Sequence, residues 1–217
     1  MCGRFILLTD LSVIVESFSI SEIACDYRPD GNISPGQQVA AVIHGDDKNR
    51  LVGYRWGLIP SWAKDPSIGN RMFNARAETV AEKPSFARAF QKRRCLIPAE
   101  GFYEWQKTGK TKSPLRFSLK SGQPFGFAGL YETWISPGKG PVSTCTIITT
   151  EANELIRPIH DRMPVIVPKD RETFWIDPDS SRQKELLSIL KPYPSDDMRM
   201  SDVDANVCRI KKVDRAG

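Results

Sequence analysis

Five segments predicted as β-strands follow one another between residues 95 and 150, and they limit the possible folds more than any other feature of the chain. They are short apolar runs rich in aromatic and β-branched residues, at 95–98, 101–106, 115–119, 125–134 and 143–150. No regular alternation of strand and helix accompanies them, which argues against a doubly wound parallel sheet. We therefore predict the α+β class, with a barrel-like, mainly antiparallel β-sheet and peripheral helices.

The rest of the chain supplies the helices and the remaining strands of this prediction. Apolar spacing, caps and acidic first turns predict helices at 11–18, 83–93, 150–155, 170–175 and 182–190. Strands are predicted at 2–8, 163–167 and 198–207, and a hairpin at 39–44 and 50–56 with its turn at 45–49. Residues 57–70 are expected to be irregular because prolines and a glycine interrupt them.

Size and composition indicate one soluble domain without a metal. The chain has 217 residues, of which 40% are hydrophobic, and this is enough for one core. Its five cysteines are scattered without a CxxC pair, and there are only two histidines, so a zinc site or a disulfide framework is not expected. With no signal peptide or membrane span visible, we expect a monomer in a reduced, bacterial-type cytoplasm, with no metal, cofactor or membrane contact.

Positive charge is concentrated in the middle of the chain. Residues 48–116 contain 15 Lys and Arg against 5 Asp and Glu, a net charge of +10, whereas the whole chain carries +5. The remaining residues are therefore net acidic by 5. Such an uneven distribution is typical of proteins that bind a polyanion, with a solvated basic surface as the alternative.

Cys2 gives the chain an uncommon chemical group if Met1 is removed, as a small second residue permits. The mature terminus would then combine an α-amine, with a pKa of about 7.7–8.0, and a thiol, with a pKa of roughly 8.5, on one residue. An amine and a thiol so placed can condense with an aldehyde to form a five-membered thiazolidine ring, which an internal cysteine cannot do. The alternative is a small residue at position 2 with no chemical role.

Two ionisable residues in apolar surroundings are candidates for proton transfer. Glu104 lies between Tyr103 and Trp105, and desolvation there would raise its pKa into the range of a general acid or base. The alternative is an outward-facing glutamate on an alternating strand. His160 can transfer protons near pH 7, with Asp161 to orient it, or it is simply a hydrogen-bonded loop histidine.

Further polar and aromatic residues suggest how a substrate would be held. Asn74 offers both a donor and an acceptor, or it forms a turn. Arg4 shares a strand face with Cys2, and Arg76 would share one with Asn74, so both arginines could bind phosphates near the chemistry. Trp62 could stack on unpaired bases, whereas the neighbouring Trp56 is more typical of a core residue.

Seven blocks of sequence, taken together, resemble the SRAP family, the SOS response-associated peptidase-like proteins that include 5-hydroxymethylcytosine-binding proteins. The resemblance extends from Cys2 to about Val167 and is weaker beyond. In chain order, the blocks are MCGRF, RWGLIPSWAK, FNARAET, CLIPAEGFYEW, FAGLYE, TCTIITTEAN and IHDRMPV.

The resemblance implies a single SRAP-like domain over residues 2–217 that recognises abasic sites in single-stranded DNA. It implies a covalent thiazolidine cross-link between the amino-terminal cysteine and the aldehyde of the ring-opened sugar, by lyase-like Schiff-base chemistry that shields the lesion. Self-reversal and an autoproteolytic, peptidase-type activity are further possibilities within the family. By motif, the catalytic residues would be Cys2, Asn74, Glu104 and His160, and the DNA-binding residues would be Arg4, Pro35, Trp62, Arg76 and Arg162.

Three other functions remain open at this point. An amidohydrolase with an amino-terminal nucleophile can also begin Met-Cys-Gly, but it leaves the later blocks unexplained. A peptidase could use the same cysteine, glutamate and histidine. A non-covalent nucleic-acid-binding module would need only the basic surface. The C-terminus, which runs from Val207 to Gly217, departs from the family pattern but contains none of the candidate residues.

Overall fold

A computed structural model describes residues 2–109, 111–136, 138, 140–180 and 182–204. Within these ranges the α-helices are short and lie at the periphery: α1 (Leu11–Ser17), α2 (Ala87–Lys92), α3 (Glu172–Ile176) and α4 (Gln183–Ile189). The strands are β1 (Phe5–Leu7), β2 (Ile20–Ala24), β3 (Asp30–Ile33), β4 (Gln38–Gly45), β5 (Lys48–Trp56), β6 (Asn74–Arg76), β7 (Arg94–Ala99), β8 (Gly101–Thr108), β9 (Thr111–Leu119), β10 (Phe125–Ser136), β11 (Gly140–Glu151), β12 (Arg162–Pro164) and β13 (Met198–Asp202). Short 3-10 helices cover Pro66–Arg71, Lys169–Arg171 and Ser195–Asp197.

Five strands close into a barrel. The order β11-β10-β7-β4-β5 is antiparallel throughout, and β5 then pairs back onto β11 in parallel at Thr144↔Arg55 and Cys145↔Trp56. Outside this ring, β12 and β6 pair with β11, and β2 pairs with β5. Closure leaves no open edge around the ring, which confirms the predicted barrel-like, mainly antiparallel α+β fold.

A second sheet, β13-β9-β8-β1-β3, is antiparallel throughout and contains the amino-terminal strand. Strand β1 lies between β8 and β3, with Phe5 opposite Phe102 on one side and Ile33 on the other. The start of the chain is therefore an internal strand of the sheet, held on both sides, and the residues just before Phe5 have a defined position.

The core between the two sheets is aromatic and centres on Phe5. The centroid of its ring lies 5.2 Å from that of Trp56 and 5.7 Å from that of Phe127, and both pairs are edge to face. The Phe127 and Phe102 ring centroids are 6.1 Å apart. Such pairs stabilise beyond their buried area. Phe5 thus joins the second sheet to the barrel.

Most predicted strands are confirmed, as is the β4–β5 hairpin. Its turn has two residues, Asp46 and Asp47, with φ of 52° and 58°. Two consecutive positive φ angles define a type I′ turn, whose twist matches that of the flanking strands. Of the predicted final strand at 198–207, residues 198–202 form β13, and 205–207 lie outside the described residues.

The helix predicted at 150–155 is wrong. Thr150 and Glu151 end β11, where they pair with Met163 and Arg162, and hydrogen-bonded turns follow. Asn153 Oδ1 accepts a hydrogen bond from the Ile156 backbone N–H at 3.1 Å, so the cap-like sequence closes a turn. The predicted helix 83–93 begins only at Ala87, and residues 66–71, expected to be irregular, form a 3-10 helix whose N-cap side chain is Asp65.

Arg94 fastens α3 to the barrel by means of its buried guanidinium. The residue is 2% exposed and donates to the carbonyls of Phe90, Gln91, Trp175, Asp177 and Ser180, at distances that include 2.6 Å to Gln91 and 2.7 Å to Trp175. One side chain therefore satisfies carbonyls from α2, from α3 and from the loop after it. A buried carbonyl that loses its donor is costly.

We expect Arg94→Met to lower the free energy of unfolding by about 3 kcal/mol or more, because it leaves several buried carbonyls without a donor. Urea denaturation followed by tryptophan fluorescence measures the change. Arg88→Met, on the exposed side of α2, is the matched control and should change stability by less than about 0.5 kcal/mol. Equal stability of the two variants would contradict this role for Arg94.

Candidate active site

Cys2 lies fully buried in the short stretch that precedes β1. The Tyr103 N–H donates to Arg4 O at 3.0 Å, which extends the β1–β8 pairing toward the terminus and brings Gly3 level with Glu104. Cys2 has 0% exposure, and its Sγ contacts Arg4 O at 3.9 Å. The sheet therefore holds Cys2 in a defined position.

Asn74 fixes the backbone of Cys2. It begins β6, which runs parallel to β11 with Asn74 level with Ile147, so it lies in a strand and not in a turn. Its Nδ2 donates to Cys2 O at 2.7 Å. Its Oδ1 is buried and has no hydrogen-bond partner in the described part of the chain, so an acceptor beside Cys2 is available to a substrate or to an amine.

Glu104 is a buried carboxyl at the inner face of β8. It is 4% exposed, opposite Leu115 of β9. Burial raises the pKa of Glu104 to about 7, and the negative charge of Asp161 adds to this. At neutral pH the carboxyl is therefore divided between its acid and base forms, which suits a group that both gives and takes a proton. The outward-facing alternative does not hold for Glu104.

The Cys2 thiol is held in its neutral form. Burial raises the pKa of Cys2 well above its ordinary value, and the charge of Glu104 raises it further. The same interaction shows that Glu104 lies close enough to Cys2 to act on it electrostatically. A thiolate is thus disfavoured in the resting site.

His160 lies in the turn before β12, and its pKa is lowered. The Arg162 N–H donates to His160 Nδ1 at 2.9 Å, which assigns the ring proton to Nε2 in the neutral form. Asp161 Oδ1 lies 2.9 Å from the same nitrogen and would form an ion pair with a protonated ring. Burial lowers the pKa of His160, and the charge of Asp161 opposes that shift, so the neutral ring prevails at pH 7.

The three candidate DNA-binding arginines differ in their partners. Arg4 Nη1 donates to Asn32 Oδ1 at 2.6 Å, and Arg76 is exposed on β6. Arg162 is largely buried and makes a bidentate pair with Glu78 at 2.5 and 3.0 Å, and it also donates to Thr149 O at 2.5 Å. Arg162 is therefore oriented by a carboxylate.

The two tryptophans of the RWGLIPSWAK block differ sharply in exposure. Trp56 is fully buried and donates to Phe73 O at 2.7 Å, which confirms it as a core residue. Trp62 is 59% exposed, next to Ala63, whose carbonyl accepts from Trp134 Nε1 at 2.7 Å. Its loop is thus anchored while its ring remains available for stacking. Pro35 is half-buried in the turn between β3 and β4.

Two residues that orient the candidate arginines are not predicted from the sequence. Glu78 belongs to the FNARAET block and orients Arg162, and Asn32 holds Arg4. Position within a block was the only available signal for Glu78. Asn32 had none, because β3 is short and polar.

Within the described ranges, no group of three His, Cys, Asp or Glu side chains could hold a metal ion. Cys2, Cys25, Cys95 and Cys145 are free thiols there, and Cys208 lies outside the described residues. No helix among the described residues is long and apolar enough to cross a bilayer. A cavity of about 710 Å³ lies apart from these side chains, between β2, β3 and β4.

Comparisons with known proteins agree on one family. The family model described as SOS response associated peptidase (SRAP) matches residues 1–210. Abasic site processing protein YoqW of Bacillus subtilis (strain 168) is 48% identical over 210 residues, which cover 95% of this chain and 94% of the relative. Abasic site processing protein YedK of Escherichia coli (strain K12) is 30% identical over 182 residues, 81% of this chain and 79% of the relative.

The fold is shared as well. A crystal structure of a protein from Bacteroides thetaiotaomicron superposes with a TM-score of 0.86 at 26% identity, over 99% of this chain and 100% of that one.

Abasic site processing protein HMCES of Gallus gallus is 31% identical over 198 residues, 76% of this chain and 59% of the relative. The chain therefore belongs to the SRAP family.

Proposed function

We propose that this protein processes abasic sites in single-stranded DNA, by forming a thiazolidine between Cys2 and the aldehyde of the ring-opened sugar. The proposal depends above all on one observation: Cys2 is buried beside Asn74, which holds its backbone, and beside Glu104, whose pKa is about 7. The names of relatives that are 30–48% identical agree with an abasic-site substrate. DNA is also the polyanion that the basic middle of the sequence suggested.

The reaction needs no cofactor. Removal of Met1 frees the α-amine of Cys2, which adds to the C1′ aldehyde to give a carbinolamine. Loss of water from the carbinolamine forms an imine. The thiol sulfur then bonds to the imine carbon while its proton passes to the nitrogen, which closes the ring. The only leaving group overall is one water molecule.

The pKa shifts at the site favour this order of steps. Because the pKa of the Cys2 thiol is raised, the sulfur stays protonated while the amine attacks first. Glu104, in its acid form, donates a proton to the departing hydroxyl and afterwards accepts one. His160 assists as a neutral ring, and Asn74 Oδ1 orients the attacking amine.

The DNA backbone would be held around this centre by the arginines. Arg4 and Arg76 bind phosphates, Trp62 and Pro35 pack against bases, and Arg162 exchanges part of its pairing with Glu78 for a phosphate. An abasic site already lacks its base, so capture requires no base flipping. The same Glu104 and His160 would catalyse reversal of the cross-link.

An amidohydrolase or peptidase fits the site less well. Attack on an amide by cysteine requires a thiolate, and burial together with Glu104 disfavours that form at Cys2. Purely non-covalent binding leaves the buried cluster of Cys2, Asn74 and Glu104 without a use.

We expect the wild-type protein, with loss of Met1 verified by mass spectrometry, to give a heat-stable shifted band on a denaturing gel with single-stranded DNA that contains one abasic site. Cys2→Ala should give none. Cys2→Ser keeps the amine but lacks the sulfur, so it should give a band only after borohydride reduction of the imine. A wild-type protein that gives no band, or a Cys2→Ala variant that matches it, would rule out the proposed linkage.

The capture rate should depend on pH in a bell shape. Capture needs the unprotonated amine, with a pKa of about 7.7–8.0, together with the protonated carboxyl of Glu104, with a pKa of about 7. The rate therefore rises up to about pH 7 as the amine loses its proton. It falls above about pH 8, where the amine is already free and the remaining protonated Glu104 is lost. Glu104→Gln should slow capture by about 10²–10⁴-fold and remove the alkaline decline. Single-turnover rates between pH 5.5 and 9.5 test this.

The control for that series is Glu154→Gln, which removes an exposed carboxylate. It should reproduce the wild-type profile in both rate and shape. A Glu104→Gln variant that keeps the wild-type rate and alkaline decline would exclude Glu104 as the proton donor.

A further inference from the structure

We propose that the outer face of the β8–β9 hairpin is a second contact surface for single-stranded DNA, where Lys107 and Lys112 bind phosphates that flank the captured site. We call this surface, formed by the exposed Lys107 and Lys112 and the half-buried Trp105, the hairpin arm. The inference rests on the proposed function for its ligand, and its test is separate from the test of covalent chemistry.

Strand register places these three residues on one face, where the buried Pro114 also lies. Trp105 lies directly opposite Pro114, and Lys107 lies directly opposite Lys112. Residues directly opposite in an antiparallel pair point to the same side, and alternate residues along a strand do so as well. Trp105 is half-buried against the sheet, whereas both lysines are exposed.

The facing lysines have no charge partner within the described chain. Neither ammonium group takes part in any ion pair or hydrogen bond found there. Like charges directly opposite one another destabilise a strand pair. A surface that keeps such a pair, with an aromatic side chain beside it, suits a polyanion that neutralises both charges and offers bases for stacking.

Nearby carboxylates do not cancel this charge on the same face. Glu104 is one residue from Trp105 and therefore points to the barrel side. Asp202 of β13 lies opposite Leu115, so it also belongs to the face away from Lys112. The outer face of the hairpin arm is therefore locally basic.

The hairpin arm lies within reach of DNA held at the active site. Lys107 is four residues along β8 from Tyr103, which bonds the Arg4 carbonyl, and both residues lie on the same face, about 13 Å apart at roughly 3.3 Å per residue. Arg4, which pairs with Tyr103 through the backbone, lies on the same outer face as Trp105 and Lys107. A strand that leaves the captured site past Arg4 would meet the two lysines next.

The experiment measures non-covalent affinity with a single-stranded oligonucleotide that contains a tetrahydrofuran abasic analogue, which has no aldehyde. Fluorescence anisotropy between 50 and 200 mM NaCl gives the salt dependence for wild type, for Lys107→Gln/Lys112→Gln, and for the control Lys120→Gln/Lys184→Gln. The control removes two exposed lysines elsewhere, one of them just beyond the far end of β9. All substituted positions are exposed, and thermal melts verify folding.

Two phosphate contacts should lower the salt slope by about 1.4, at about 0.7 per contact on single strands. Across this fourfold salt range, the wild type should therefore lose about 7-fold more affinity than the arm variant. The control should behave like the wild type. The hairpin arm contacts nucleotides on one side of the abasic analogue. Removing the nucleotides on that side should therefore abolish the difference in salt slope between the wild type and the Lys107→Gln/Lys112→Gln arm variant, whereas removing those on the other side should not.

An arm variant whose salt slope equals that of the wild type or of the control would overturn the hairpin arm as a DNA surface. The proposal is also contradicted if the difference in salt slope persists when the 5′ flank is removed and again when the 3′ flank is removed. Cross-linking to a true abasic site at saturating DNA should be retained in the arm variant. If the wild type does not cross-link at all, the covalent mechanism fails, while the salt slopes still decide whether the hairpin arm binds DNA.

Discussion

The structure depends on the insertion of β1 between β3 and β8, with the Phe5 ring packed against Trp56 and Phe127 of the barrel. A chain terminus is ordinarily mobile unless secondary structure holds it. Here the hydrogen bonds of a central strand and the packing of a buried ring together fix the three residues before Phe5. The position of Cys2 is thus a consequence of how the second sheet meets the barrel.

Burial at this junction determines the chemistry and also limits stability. The pKa of Glu104 is about 7 in the folded protein and near 4.5 when exposed, so the folded state binds the proton more tightly. The contribution of Glu104 to the free energy of unfolding is therefore most favourable below the unfolded pKa of about 4.5. It decreases as the pH rises from about 4.5 to 7, and the total change is on the order of 3 kcal/mol. A carboxyl buried beside Cys2 therefore has an energetic cost above about pH 4.5, which the packing of the surrounding aromatic core must offset.

Charge is arranged differently at the centre and at the periphery of the site. Two of the candidate arginines are oriented by side chains, Arg4 by the neutral Asn32 and Arg162 by the carboxylate of Glu78. Farther out, Lys107 and Lys112 face each other without a partner in the described residues. Oriented guanidinium groups favour recognition of a phosphate at one position, whereas mobile lysines favour sequence-independent attraction of the strand.

The sequence by itself determined the α+β class, the strand-rich middle, the reactive potential of Cys2 and the family blocks, because these depend on local pattern and residue chemistry. It did not determine that the cap-like segment after Thr150 is a turn, or that the polar β3 and the three-residue β6 are strands, because partners far away in the chain impose those conformations. Only the tertiary structure decided that Glu104 faces inward toward Cys2, that Asn74 Nδ2 donates to the Cys2 carbonyl and that Glu78 holds Arg162. The physical reason is that the two residues of each of these pairs lie 72 to 102 positions apart in the chain, so that only folding brings them together.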